Sequence, residues 1–127
     1  MANPNIVNVT DIRGNTSSFL ISSNASPFAT ALVNNPAGSN KVYKINTIIA
    51  ANRHGTNNYE ISVLLFSANN LTGTNTEIAS TITVPADASI VIVDKNSSIY
   101  LLEDKSIGVS SSTANVIAVT ASWEEIS

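Results

Sequence analysis

The chain is predicted to fold as an all-β protein, an antiparallel β-sandwich of jelly-roll-like or immunoglobulin-like type. Three observations predict it. β-Branched and aromatic residues recur with period two in short runs, and Asn, Ser, Thr, Gly and Pro fill the intervals. The runs return at about the 8–12-residue spacing of sandwich and barrel strands. No stretch keeps a 3.6-residue apolar period long enough for a helix; the nearest is one turn within Ser26 to Val33. A length of 127 residues fits a single domain, and a chain of this size buries roughly two-thirds of its unfolded surface. It contains no Cys, which removes disulfide staples and argues against an antibody-type domain with its intersheet pair.

The elements follow in order. Asn5 to Ile12 alternates Ile6, Asn8 and Thr10 against Val7, Val9 and Asp11, and Gly14-Asn15 then turns the chain. Ser18 to Ser22 and Ala29 to Val33 are short strands, the second followed by the Pro- and Gly-punctuated loop Asn34 to Asn40. Lys41 to Arg53 is the longest strand, with Tyr43, Ile45, Thr47 and Ile49 on one face and Val42, Lys44, Asn46 and Ile48 on the other. His54 to Asn58 forms a hairpin tip. Tyr59 to Ala68 returns, with Ile61, Val63 and Leu65 on one face. Asn69 to Asn75 is a loop around Gly73. Thr76 to Val84 follows, with Ile78, Ser80, Ile82 and Val84 aligned, and Pro85-Ala86-Asp87 ends it. Ser89 to Asp94, rich in Ile and Val, is expected at the centre of a sheet. Lys95-Asn96-Ser97 turns into Ser98 to Leu102, Glu103-Asp104 turns again, and Ile107 to Ser111 follows. After Ser112-Thr113-Ala114, the last strand, Asn115 to Ile126, aligns Ile117, Val119, Ala121 and Trp123.

Composition narrows the function. The net charge is −3 and the basic residues, Arg13, Lys41, Lys44, Arg53, Lys95 and Lys105, are scattered. A nucleic-acid partner is therefore not expected, since such binders carry a basic stripe. The start, Met1-Ala2-Asn3-Pro4-Asn5, has neither the basic nor the apolar region of a signal peptide. No apolar run approaches the roughly 20 residues of a membrane-spanning helix, so synthesis in a cytoplasm and no membrane partner are expected.

Chemistry-bearing side chains are sparse. His54 is the one imidazole and therefore the sole candidate base for a Ser-His-Asp relay; at a hairpin tip it reads as a turn residue. With one His and no Cys, a zinc site lacks ligands. The pairs Glu103-Asp104 and Glu124-Glu125 are adjacent, and adjacent strand residues point to opposite faces, unlike carboxylates that flank a bond. Acids at edges also discourage strand-to-strand aggregation. Asp87, Asp94, Glu103 and Asp104 offer oxygen ligands for calcium without EF-hand spacing. Gly55, Gly73 and Gly108 stand alone, without a phosphate-cradling motif. Tyr43, Tyr59, Tyr100 and Trp123 would form a sugar-stacking platform if exposed on one face, and core packing if buried between sheets. No catalytic residue, metal or cofactor is expected.

A series of motifs carries a resemblance. Lys44-Ile45-Asn46-Thr47-Ile48 is followed by Ala51-Asn52 and Gly55-Thr56, then Thr83-Val84-Pro85-Ala86, Ser98-Ile99-Tyr100-Leu101-Leu102-Glu103, and Ala121-Ser122-Trp123-Glu124-Glu125-Ile126. The chain from Asn5 onward resembles small virion structural proteins of tailed bacteriophages, cyanophage-type. Trp123 stands where those proteins usually have Tyr, and Asp104-Lys105 where a Gly-Asp turn is common. The resemblance implies a β-sandwich that coats or cements the capsid, with a neck, tail or head-fibre module as the alternative. It implies the major capsid protein and copies of itself as partners, a trimer at local three-fold positions among them, and the capsid surface of the virion as its location. An extended N-terminal arm, Asn3 to Ile12 with Asn3, Pro4, Asn5, Ile6 and Val7 as contact residues, is expected to add a strand to a neighbour; its competing reading is the first strand of its own sandwich. A carbohydrate-binding module is the alternative from another functional class, and an enzyme comes last.

Overall fold

The structure, a computed structural model, describes residues 9–22 and 30–127. These form nine strands: β1 (Ile12–Leu20), β2 (Thr30–Asn35), β3 (Val42–Asn52), β4 (Tyr59–Ala68), β5 (Thr72–Val84), β6 (Ser89–Val93), β7 (Ile99–Leu101), β8 (Lys105–Ser111) and β9 (Ile117–Ile126). A single 3-10 turn, Lys95–Ser97, separates β6 from β7. Asp94 caps it, accepting from the amides of Asn96 and Ser97. Among the described residues no helix is long and apolar enough to cross a membrane.

The strands pair antiparallel into two sheets. Sheet A runs β1-β9-β3-β6, with β7 also on β3; sheet B runs β2-β8-β4-β5. Only β4 and β5 are neighbours both in sequence and in a sheet. The immunoglobulin arrangement keeps several consecutive strands paired. Here nearly every connection crosses from one sheet to the other, which is the winding of a jelly roll, with β7 as the added strand. Of the two sandwich types left open by the sequence, the topology selects this one.

The core lies between the sheets. Ile45, Ile48 and Ala50 of β3 and Val119, Ala121 and Trp123 of β9 meet Ile61 and Val63 of β4 and Ile107 and Val109 of β8. Trp123 stacks on Tyr43, ring centroids 6.1 Å apart and planes at 22°. Ile117, Val119, Ala121 and Trp123 do share the inner face of β9, as their spacing predicts.

Several expectations are corrected. Gly14-Asn15 is not a turn: β1 runs straight through it, paired to β9 from Ile12 opposite Ile126 to Leu20 opposite Ala118. The 69–75 loop contracts to a tight turn. Asn70 and Leu71 take φ of 53° and 58°, the amide of Thr72 donates to the carbonyl of Asn69, and β5 begins there. Ser89 to Asp94 is not central; β6 ends sheet A. Its apolar residues line an open side of the sandwich instead of being covered on both faces.

The alternation along Lys41 to Arg53 also breaks. Ile45 pairs with Trp123, but Thr47 pairs with Ser122, so Asn46 is an extra residue in β3. Such a bulge reverses the phase of everything beyond it. Tyr43 and Ile45 face the core, then Ile48, Ala50 and Asn52 do, while Thr47 and Ile49 are only half-buried. In β5 a comparable irregularity around Ser80-Thr81, with Thr81 at φ 46°, puts Ala79 rather than Ser80 opposite Val63.

Of the proposed arm, Asn3, Pro4, Asn5, Ile6 and Val7 lie outside the described residues. Its end does not project from the domain. The amides of Thr10 and Asp11 donate to the carbonyl of Ser127, and the Ser127 amide donates back to that of Asp11. The chain from Thr10 is thus tied into its own sheet.

Candidate binding surface

The most distinctive surface is the outer face of sheet A. Inward Val119 and Ala121 leave Ala118, Thr120 and Ser122 of β9 pointing out, and the bulge at Asn46 turns Thr47, Ile49 and Ala51 of β3 to the same side. Cross-strand partners extend these positions into rows. Ser18, Thr120, Ile49 and Val91 form one row; Leu20, Ala118, Ala51 and Ser89 another; Thr16, Ser122 and Thr47 a third. Hydroxyls knit β1 to β9, with Thr16 Oγ1 3.0 Å from Ser122 Oγ and Ser18 Oγ 3.0 Å from Thr120 Oγ1. None of these residues carries a charge. The next row brings the rim, where Gly14, Glu124, Lys44 and Tyr100 pair across the sheet.

At that rim an open groove of about 580 Å³ is lined by Gly14, Asn15, Thr16, Asn46, Ser122, Trp123 and Glu124. The groove is open at Gly14, where even a Cβ would meet nothing within 4 Å. The bulged Asn46 donates through Nδ2 to Glu124 Oε1 at 2.8 Å, while its Oδ1 is covered without a hydrogen bond.

Beside the groove Glu125 collects three donors: Asn15 Nδ2 at 3.1 Å, Trp123 Nε1 at 3.2 Å and Lys41 Nζ at 3.4 Å. Burial pushes its carboxyl up, but the hydrogen bonds from Asn15, Trp123 and Lys41, with the Lys41 charge, outweigh that and hold it below the usual glutamate range. Burial first, then the nearby Glu125 charge, raises the Tyr43 phenol. A depressed carboxyl stabilises the fold above its unfolded pKa, and that contribution is lost as pH falls through the folded value. Glu125→Gln is therefore expected to flatten the decline in stability from the ordinary glutamate range downward, read as urea midpoints against pH.

The candidate groups from the sequence do not converge. His54 at the hairpin tip accepts through Nδ1 from the amides of Thr56 and Asn57, at 3.2 and 3.0 Å, and its ring meets Tyr59 edge-on at 5.4 Å. Those contacts engage the ring nitrogen in closing the turn. Glu103 is buried and accepts from the Asn40 amide at 2.6 Å; Asp104 accepts from the Asn69 amide at 3.3 Å. Glu124 and Glu125 hold Asn46 and Lys41 respectively. Asp94 caps the 3-10 turn, and among the described residues no three His, Cys, Asp or Glu side chains gather as metal ligands. Tyr43 and Trp123 are buried and Tyr59 packs against the core, so Tyr100, at 48 % exposure, is the member of that set left on the surface. The four aromatics make no stacking platform.

The outer face itself was not anticipated from sequence. Its signal is faint: the outward positions of the last strand are Ala118, Thr120 and Ser122, with no Lys or Glu until Glu124. Its extent depends on β1 and β3 flanking β9, a long-range pairing that strand-by-strand reading does not reach.

No protein-family model matches the chain, and no curated protein matches it.

Proposed function

We propose that the chain is a structural protein of a bacteriophage virion, without enzymatic activity, and that it decorates the capsid by binding the outer surface of the head. The major capsid protein is its partner. The observation that carries this reading is the patch of three uncharged rows on the outer face of sheet A. A jelly roll hosts capsid and lectin domains alike, so the fold does not choose between them. The face does more. A chain of net charge −3 that keeps charge off three successive rows of one sheet face, with Glu124 and Lys44 only in the row at its rim, offers a surface that can be covered without desolvating ions.

The size of the face fits many weak contacts better than one strong one. Four strands about 4.8 Å apart and three rows two residues apart span roughly 300 Å². A standard interface buries about 800 Å² per partner. A single contact of this area is weak, and repetition over a shell, with copies linked to one another, supplies the strength by avidity.

Quantitative mass spectrometry of purified particles tests the reading. The chain is expected at a fixed ratio to the major capsid protein, repeated with the capsomers. A number of copies matching one ring would place it in the neck or tail, and absence from particles would contradict the proposal.

A further inference from the structure

The row at the rim of sheet A carries chemistry that the fold leaves unused. Gly14 of β1, Glu124 of β9, Lys44 of β3 and Tyr100 of β7 lie side by side across four strands. With strands about 4.8 Å apart, the strip is roughly 14 Å long. At one end Tyr100 is 48 % exposed, the most exposed aromatic ring among the described residues. At the other, the open groove of about 580 Å³ beside Gly14 falls within the roughly 300–1,000 Å³ of ligand sites.

Lys44 and Glu124 stand opposite each other and do not pair. The ion pairs among the described residues are Arg13 with Asp11 and Lys41 with Glu125, and no hydrogen bond there engages Lys44. Glu124 accepts one hydrogen bond, from Asn46 Nδ2, whereas an ionised carboxylate has about four lone-pair sites. Asn46 Oδ1, on the groove wall, accepts none. Trp123 Nε1 and Asn15 Nδ2, by contrast, are already engaged by Glu125. An ammonium with free donors thus sits next to acceptors with free capacity.

That mixture selects the ligand. A phosphate or carboxylate only accepts and meets Glu124 as a like charge. A guanidinium or ammonium only donates and meets Lys44 in the same way. A hydroxyl both donates and accepts, so neighbouring hydroxyls on one sugar ring satisfy Lys44 and Glu124 together. The C–H face of another ring covers the apolar face of Tyr100. The hydroxyls of Thr16 and Ser122 extend the same kind of contact into the groove, and the open space at Gly14 leaves room for a further ring. We propose that this strip binds a neutral oligosaccharide: one ring on Tyr100, the next held by Lys44 and Glu124, and the end of the sugar chain in the groove at Gly14. Tyr100, Lys44 and Glu124 lie outside the three uncharged rows. The inference concerns the isolated chain and does not rest on the virion reading.

Titration of the isotope-labelled full chain with maltotriose, cellotriose, mannotriose and lactose, followed by two-dimensional NMR, tests it. At least one sugar is expected to saturate with a Kd on the order of 1 mM, as suits an open site. The amide signals of Gly14, Lys44, Asn46, Tyr100 and Glu124 are expected to move. Tyr100→Ala, at an exposed position, is expected to weaken that binding at least about tenfold, and Tyr100→Phe, which keeps the ring, less than about threefold. Glu124→Gln keeps the shape and the bond from Asn46, and is expected to weaken binding at least about threefold. No movement with any of the four sugars, movement confined to other parts of the molecule, or Tyr100→Ala and Glu124→Gln variants that bind as the unaltered chain does would overturn the proposal.

Discussion

Ile48→Ala is expected to lower the free energy of unfolding by roughly 2–5 kcal/mol, the range for truncating a well-packed aliphatic side chain, while Ile49→Ala one residue away costs about 1 kcal/mol or less. Ile48 is fully buried in the core. Ile49 lies on the outer face of sheet A, opposite Thr120 and Val91. The difference comes entirely from Asn46. With strict alternation from Tyr43 and Ile45, Ile49 would be inside and Ile48 outside. The extra residue in β3 exchanges them. Urea unfolding of the two variants, with unchanged dependence on denaturant, reads the phase of the strand directly. The reverse order of the two losses would remove the bulge from the account, and with it the outer-face row that Ile49 completes.

The second large effect is at Asn52. Its side chain is 3 % exposed and bonds three backbone groups at once. Nδ2 donates to the carbonyls of Asn57 and Val84, at 2.9 and 3.0 Å, and Oδ1 accepts from the His54 amide at 2.9 Å. One amide thus ties the end of β3, the hairpin tip and the end of β5. Asn52→Leu keeps the volume and leaves those backbone groups without partners. Each such group, where buried, costs about 1–3 kcal/mol, so a loss on the order of 3 kcal/mol or more is expected in denaturant unfolding. Asn57→Ala, which alters an exposed side chain while keeping its carbonyl, is expected to stay within about 0.5 kcal/mol. Equal losses in the two variants would contradict the role given to Asn52. Asn35 is the counterpart at the opposite end, fully buried, donating to the carbonyls of Lys41 and Leu101 and accepting from Ser39 Oγ at 2.6 Å.

These residues mark where sequence reading stops. Period-two runs are local, so β4 and β9 could be read with their inward faces from Ile61 and Val63, and from Ile117 to Trp123. A bulge is a property of two paired strands, and Asn46 looks like any outward polar residue until β9 is laid beside β3. Asn35 and Asn52 carry the usual signature of loop residues, yet both are buried, because their amides satisfy backbone that the strands leave unpaired. Gly14-Asn15 reads as a turn and is strand, since its pairing with Glu124 and Trp123 continues the ladder. For β6 the apolar composition was legible and its place was not: an edge strand beside an open slot has the same residues as a covered one. The candidate surface was least legible of all, because it is assembled from single outward residues on four strands whose order follows from the whole winding.

A cryo-electron microscopy map of the particle tests the central claim most directly. The account predicts density for this sandwich on the outside of the head, repeated with the capsomers, with the outer face of β1-β9-β3-β6 turned toward the shell. Density confined to the neck or tail, or a sandwich on the head whose sheet A face points to solvent, would contradict it.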